Sequence, residues 1–254
     1  MFAWFPIAVT FFLIEGGVIA FLIFLSRRND EVCRAPGLDL AISALTWIPW
    51  ALAFSWSGWQ GIFGCVVGQL GALEGFIFLH PILRGYKGPA IKTTINRIAG
   101  RFNNHLGLYA TLPALPGFLM IRLTEICVWP ILVWTMKFPK YPEGEWVTIS
   151  RQKFSGLVGH DLVWCLYCDW MTGLYALGGE MLRNLESFWC PIRFDPDKKC
   201  ENCKIDFPDI ETWVPVGGTI ADVQALLGKK YPVDSLKTRS WYGHPDRKTE
   251  PKTV

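Results

Sequence analysis

The stretch from residue 38 to residue 83 reads LDLAISALTWIPWALAFSWSGWQGIFGCVVGQLGALEGFIFLHPIL, and only three of its residues are acidic, basic or histidine. Two apolar runs, 38–56 and 60–83, flank the short polar motif SWSG. A helix of roughly 20 apolar residues is long enough to cross the hydrocarbon core of a bilayer. The pattern therefore predicts two membrane-spanning helices that are joined by a tight turn.

A third apolar run precedes them and occupies residues 1–26, with Glu15 as the only ionisable side chain before Ser26. This run lacks a basic amino-terminal region, and it ends at Arg27 and Arg28 without a small-residue cleavage site. Both features differ from those of a secretory signal peptide. We therefore expect residues 1–26 to be the first of three spans.

Basic residues lie in the segments that follow the first and third spans, whereas the turn at 56–60 contains none. Loops rich in lysine and arginine stay on the cytoplasmic side of a membrane. This rule predicts that both basic segments face the cytoplasm and that Met1 and the turn lie outside.

Composition supports an integral membrane protein, because 51% of the 254 residues are hydrophobic and only 19% are charged. Most charged residues follow Met136, so the sequence predicts a membrane domain at 1–136 and a small soluble α+β cysteine-rich domain at 137–235. A polar tail is expected at 236–254. No basic stripe suggests a nucleic-acid partner.

Residues 106–136 allow two interpretations, because the segment is apolar but contains three prolines together with Arg122 and Glu125. It could be a fourth span in which Arg122 and Glu125, three positions apart, form a buried pair. It could also be an interfacial or re-entrant element, which the cost of charges and prolines in lipid favours. Three spans leave the cysteine-rich domain cytoplasmic, whereas four place it outside.

Polar and small residues inside the spans are candidates for function. Glu15 and Glu74 lie near the middle of the first and third spans, where a carboxylate costs at least a few kcal/mol in lipid. Each could serve a proton or ion path, or could be a protonated group that is bonded to another helix. The third span also has glycines that would let helices approach closely, namely Gly64, Gly68, Gly71 and Gly75.

Two CxxC pairs, Cys165 with Cys168 and Cys200 with Cys203, are the sharpest motif of the back half. Two such pairs can place four thiolates around one tetrahedral zinc ion. The 31 residues between the pairs exceed the usual spacing of roughly 15–20. Cys190 and His160 are alternative ligands.

Other interpretations of the same thiols stay open. An iron–sulfur cluster could use them, with Cys190 in place of one cysteine. Disulfides or unligated thiols are the third alternative, and disulfides would be favoured if the domain lay outside.

The sequence contains no nucleotide-binding loop and no hydrolase or metalloprotease motif, so we do not expect an enzyme. The leading hypothesis is an accessory or assembly subunit of a multi-subunit membrane complex, with a zinc-stabilised head and other membrane subunits as partners. One alternative is an electron-transfer subunit that carries an iron–sulfur cluster. Another is a small proton or ion transporter that uses Glu15 and Glu74.

Overall fold

The computed structural model describes residues 4–26, 28–154, 156–189, 214 and 217–230. Over these ranges the chain is mostly helical and contains no strand, apart from an isolated bridge between Arg34 and Thr148. The expected α+β class of the cysteine-rich domain is therefore not supported. The short strand that the sequence allows at 210–216 lies outside the described residues except for Val214, which is in no regular element.

The helices lie, in chain order, at α1 (Trp4–Ser26), α2 (Gly37–Leu45), α3 (Trp47–Leu83), α4 (Ile91–Ala99), α5 (Arg101–Tyr109), α6 (Leu115–Cys127), α7 (Trp129–Met136), α8 (Glu143–Trp146), α9 (Gly159–Trp189) and α10 (Ile220–Lys230). Three helical segments are long and apolar enough to cross a membrane, namely Trp4–Ser26, Gly37–Leu83 and Arg101–Met136. An integral membrane protein is thus supported by the length and composition of its helices.

The chain forms two compact units. The first contains Met1–Pro116 and Pro142–Leu174, and the second contains Gly117–Tyr141 and Tyr175–Val254. Each unit takes residues from both sides of position 136, where the sequence changes from apolar to polar.

The chain reverses direction inside α3, at Ser57 and Gly58, where the backbone is not helical. Gly58 has a φ of +57°, a conformation that favours glycine. Trp50 Nε1 donates to Gln69 Oε1 at 2.7 Å although the two residues are 19 positions apart. In a straight helix they would be about 28 Å apart. The reversal lies within the SWSG motif and separates a first arm, 47–56, from a second arm, 59–83.

The second arm packs against α1 through glycines. A Cβ atom on Gly64 would lie 2.6 Å from the carbonyl oxygen of Trp4, and one on Gly68 would lie 2.4 Å from that of Ala8. Contacts therefore advance in the same direction along both helices, which makes them parallel. The amino-terminal end of α1 and the reversal consequently lie at the same end of the helix pair.

The loop after α1 is joined to a distant segment of the first unit. The Ala35 amide donates to the Val147 carbonyl at 2.9 Å, and the Ile149 amide donates to the Cys33 carbonyl at 2.7 Å. Cys33 and Val147 are both buried. These bonds hold residues 33–35 against 147–149, just before α9.

In the second unit α6 packs against α9, and α7 packs against the segment that follows it. Phe118 meets Tyr175 edge to face at 5.3 Å, and Trp129 stacks on Phe138 at 5.5 Å. Asn184 is completely buried, and its side-chain amide donates to the Tyr141 hydroxyl.

Candidate functional site

Cys165 and Cys168 lie one turn apart on one face of α9, and both are partly exposed. The guanidinium of Arg151 lies near both sulfurs and interacts favourably with them. It also forms an ion pair with Asp169, at 3.3 Å from Nε to Oδ1. Burial raises the pKa of the Cys165 thiol above its usual value, and Arg151 opposes this shift.

The other predicted thiol ligands, Cys190, Cys200 and Cys203, lie outside the described residues. Among the described residues, no group of three or more histidine, cysteine, aspartate and glutamate side chains could hold a metal ion. The metal site is therefore not supported by this part of the chain, which contributes only the first CxxC pair.

His160, the alternative ligand, belongs to an aromatic cluster. Its ring is 5.6 Å from that of His105 and 6.2 Å from that of Trp164. Burial lowers the pKa of His160, and the positive charge of Lys92 lowers it further. His160 Nε2 is buried without a hydrogen-bond partner.

An open cavity of about 530 Å³ lies beside Cys165, and it is lined by Ile91, Ser150, Arg151, Lys153, Phe154 and Leu157. The cavity leaves space next to one sulfur of the CxxC pair. A volume in this range is large enough for a small molecule or for a further segment of chain.

Inside the apolar helices, Glu15 is only 2% exposed and is bonded within the chain. Gln69 Nε2 donates to Glu15 Oε1 at 3.0 Å and also to the Leu45 carbonyl at 3.0 Å. The Gln69 carbonyl accepts from Trp50. Both N–H groups of the Gln69 amide and one lone pair of its oxygen are thus used. Through Gln69, α1 is linked to the first and second arms of α3.

Glu74 lies in different surroundings, because its side chain is exposed on the second arm. The neighbours on its face, at spacings of four, are Leu70 and Phe78, and both are exposed as well. Across the residues that the structure describes, the Glu74 carboxyl makes no hydrogen bond or ion pair. Glu15 and Glu74 therefore do not share one environment.

The four glycines of the third span also have different surroundings. Gly64 and Gly68 contact the backbone of α1, whereas Gly71 and Gly75 face only the ring of Phe12, at 3.2 Å and 3.7 Å from an added Cβ. Close helix approach therefore depends on the first glycine pair.

Arg122 and Glu125 form an ion pair of 2.9 Å within α6, and their side chains are only 6% and 2% exposed. An added Cβ on Gly178 of α9 would lie 3.2 Å from Glu125 Oε1. The pair is thus covered by protein in the second unit.

The sequence did not identify three residues that make long-range polar contacts, namely Gln69, Arg151 and Asp161. Buried Asp161 accepts the Ile91 amide at 2.7 Å and the Lys92 amide at 2.9 Å, and so caps the start of α4. Gln69 could have been noticed as a polar side chain in an apolar span. The partners of Arg151 and Asp161 are distant in sequence, so no local signal marks them.

The described residues thus offer three chemical features: a pair of thiols near a guanidinium, a buried Glu15 carboxyl that accepts a hydrogen bond, and an exposed Glu74 carboxyl that accepts none from a described residue. None of them forms a nucleophile–base pair or another arrangement that is specific to one reaction. No family model, curated protein or solved structure matches this chain.

Proposed function

We propose that the chain is an accessory or assembly subunit of a multi-subunit membrane complex. The observation that carries this proposal is the Glu74 carboxyl, which is exposed on an apolar helix face without a partner among the described residues. A carboxylate that faces lipid costs at least a few kcal/mol. A hydrogen-bond donor or a cation on a neighbouring membrane helix would remove most of this cost.

The contrast with Glu15 supports this interpretation. The chain satisfies Glu15 internally through Gln69, and it buries that carboxyl between helices. The same chain leaves Glu74 on its outer surface, between Leu70 and Phe78. The residue that lacks an internal partner is the one that a second subunit could reach.

Replacement of Glu74 by leucine is expected to weaken assembly about tenfold, because an interhelical polar contact in lipid contributes about 1–2 kcal/mol. The measurement is native gel electrophoresis of the protein extracted from its own membrane in mild detergent. The wild type should migrate as part of a larger complex, and the variant should shift toward the size of one chain. Replacement of exposed Phe78 by leucine is the matched control on the same face. A wild type that migrates as a single chain would contradict the proposal.

The cysteine-rich domain at 137–235, the head of this subunit, is proposed to bind one zinc ion through Cys165, Cys168, Cys200 and Cys203. The first two thiols share a helix face and are reachable, and the cavity beside Cys165 leaves room for further ligands. Four thiolates around Zn²⁺ carry a net negative charge, which the guanidinium of Arg151 would partly neutralise. The donor set therefore fits zinc.

Purified protein is expected to contain about one zinc per chain without visible colour. The double variant Cys165→Ser/Cys168→Ser should lose the metal, whereas Cys65→Ser, which removes a buried thiol, should retain it. Because Cys165 must lose its proton to bind, zinc uptake should release protons and weaken as pH falls. Iron with visible absorbance would favour the electron-transfer alternative, and metal-free protein with protected thiols would favour disulfides.

We also propose that residues 106–136 enter and leave the membrane on the same side, as an interfacial or re-entrant element. Support comes from contacts within the first unit on either side of this segment. Residues 33–35, which follow α1, bond to 147–149, and Asp161 bonds to the start of α4. A single crossing between residues 106 and 136 would separate these partners by a bilayer. The head would then share the side of the basic loops, which the positive-inside rule makes cytoplasmic.

A further inference from the structure

α4 has an exposed apolar stripe. Ile91, Ile95 and Ile98 recur at spacings of four and three, which places them on one face of the helix, and all three are exposed. No residue of α4 is buried. The helix thus keeps an apolar face at least partly open to its surroundings, and Ile98 is the most open of the three at 75% exposure.

Basic residues surround this stripe. At 100° per residue, Lys92 lies on one side of the isoleucines and Arg97 lies on the other. The segment 84–101 also contains Arg84, Lys87 and Arg101, and no acidic residue occurs between Glu74 and Glu125. None of these five cations forms an ion pair with a described residue. Their charge is therefore available to a partner outside the chain.

The position of α4 is fixed relative to the apolar helices. It begins eight residues after α3 ends at Leu83. The Asp161 carboxylate holds the amides of Ile91 and Lys92, and the nearby Gly159 amide donates to His80 Nδ1 of α3 at 3.1 Å. An amphipathic, basic helix is thus anchored next to the end of a membrane-spanning arm.

We propose that α4 is a docking surface for anionic phospholipids. The isoleucines insert at the boundary between headgroups and acyl chains, and the flanking cations bind the lipid phosphates. Charge complementarity and direct continuity with α3 favour the membrane surface as the occupant. Each lysine or arginine near an anionic leaflet contributes about a fivefold change in lipid affinity.

Hydrogen exchange of the full chain in nanodiscs tests the proposal. Amides of residues 91–99 are expected to exchange at least about tenfold more slowly in an equal mixture of phosphatidylglycerol and phosphatidylcholine than in phosphatidylcholine alone. The double variant Lys92→Gln/Arg97→Gln should lose this difference. Lys229→Gln, which changes an exposed lysine of α10, is the control and should retain it.

Equal exchange in the two lipid compositions would overturn the proposal, as would a lipid-dependent difference that survives in Lys92→Gln/Arg97→Gln. A second variant tests the apolar stripe. Ile95→Asn should raise exchange of residues 91–99 in both lipids while the amides of 160–170 remain protected. Unchanged exchange in this variant would mean that the stripe does not contact the membrane.

Discussion

Replacement of Arg122 by alanine is expected to lower the free energy of unfolding by about 3–5 kcal/mol, because it leaves the Glu125 carboxylate buried without its cation. The pair has a separation of 2.9 Å, and both side chains are almost inaccessible. Gly178 of α9 packs close to the same carboxylate, so water cannot readily replace the guanidinium. The measurement is reversible denaturant unfolding of the reconstituted protein, followed by tryptophan fluorescence.

Two further variants distinguish a buried charge from a general packing defect. Arg183→Ala removes an ion pair of the same i,i+3 spacing, with Glu180, in which the arginine is 43% exposed. We expect this change to cost at most about 1 kcal/mol. The double variant Arg122→Met/Glu125→Met should recover most of the loss, because it removes both charges together. A double variant as unstable as Arg122→Ala would contradict the explanation.

Replacement of Gly68 by alanine is expected to destabilise the contact between α1 and the second arm by about 1–3 kcal/mol. The new Cβ would lie 2.4 Å from the Ala8 carbonyl oxygen and 2.9 Å from the Phe12 amide nitrogen. Backbone atoms cannot rotate away as a flexible side chain can, so the two helices must move apart. The same unfolding measurement, together with cross-linking between α1 and the second arm, would detect the change.

Gly16→Ala provides the matched control in α1, because no heavy atom lies within 4 Å of its added Cβ. Alanine also favours helix over glycine by roughly 0.5–1 kcal/mol, so this variant should be neutral or slightly stabilising. Equal losses from Gly68→Ala and Gly16→Ala would show that close approach of the helices is not the cause.

The apolar helices were predictable because they follow from local composition. A run such as 60–83 has no low-energy alternative to a helix in lipid, and the SWSG motif marks where the chain can turn between the two apolar runs. The Arg122–Glu125 pair was predictable for the same reason, since three positions along a helix bring side chains together. The α+β class of the back half is not supported, because its described residues are mostly helical and the expected strand at 210–216 lies outside them except for Val214.

Other features could not be predicted because they depend on distant contacts. Glu15 and Glu74 are both followed by glycine in apolar helices, yet only Glu15 meets a donor, Gln69, from another helix. The environment of Cys165 likewise depends on Arg151, which reaches α9 from a preceding loop. Spacing identified the thiols but could not show that a guanidinium lies beside them.

The bonds between residues 33–35 and 147–149 have a consequence for biosynthesis. The Thr148 hydroxyl reaches the Cys33 carbonyl across 115 positions of sequence. Ribosomes add roughly 5–20 residues per second, so residues 147–149 are synthesised on the order of ten seconds after residues 33–35. During this interval α1 and α3 are already available for membrane insertion while their connecting loop is still incomplete. A nascent chain that stalls before Val147 would therefore carry inserted helices while the Cys33 carbonyl lacks its donors from residues 148 and 149. Quality-control proteases could recognise this incomplete loop.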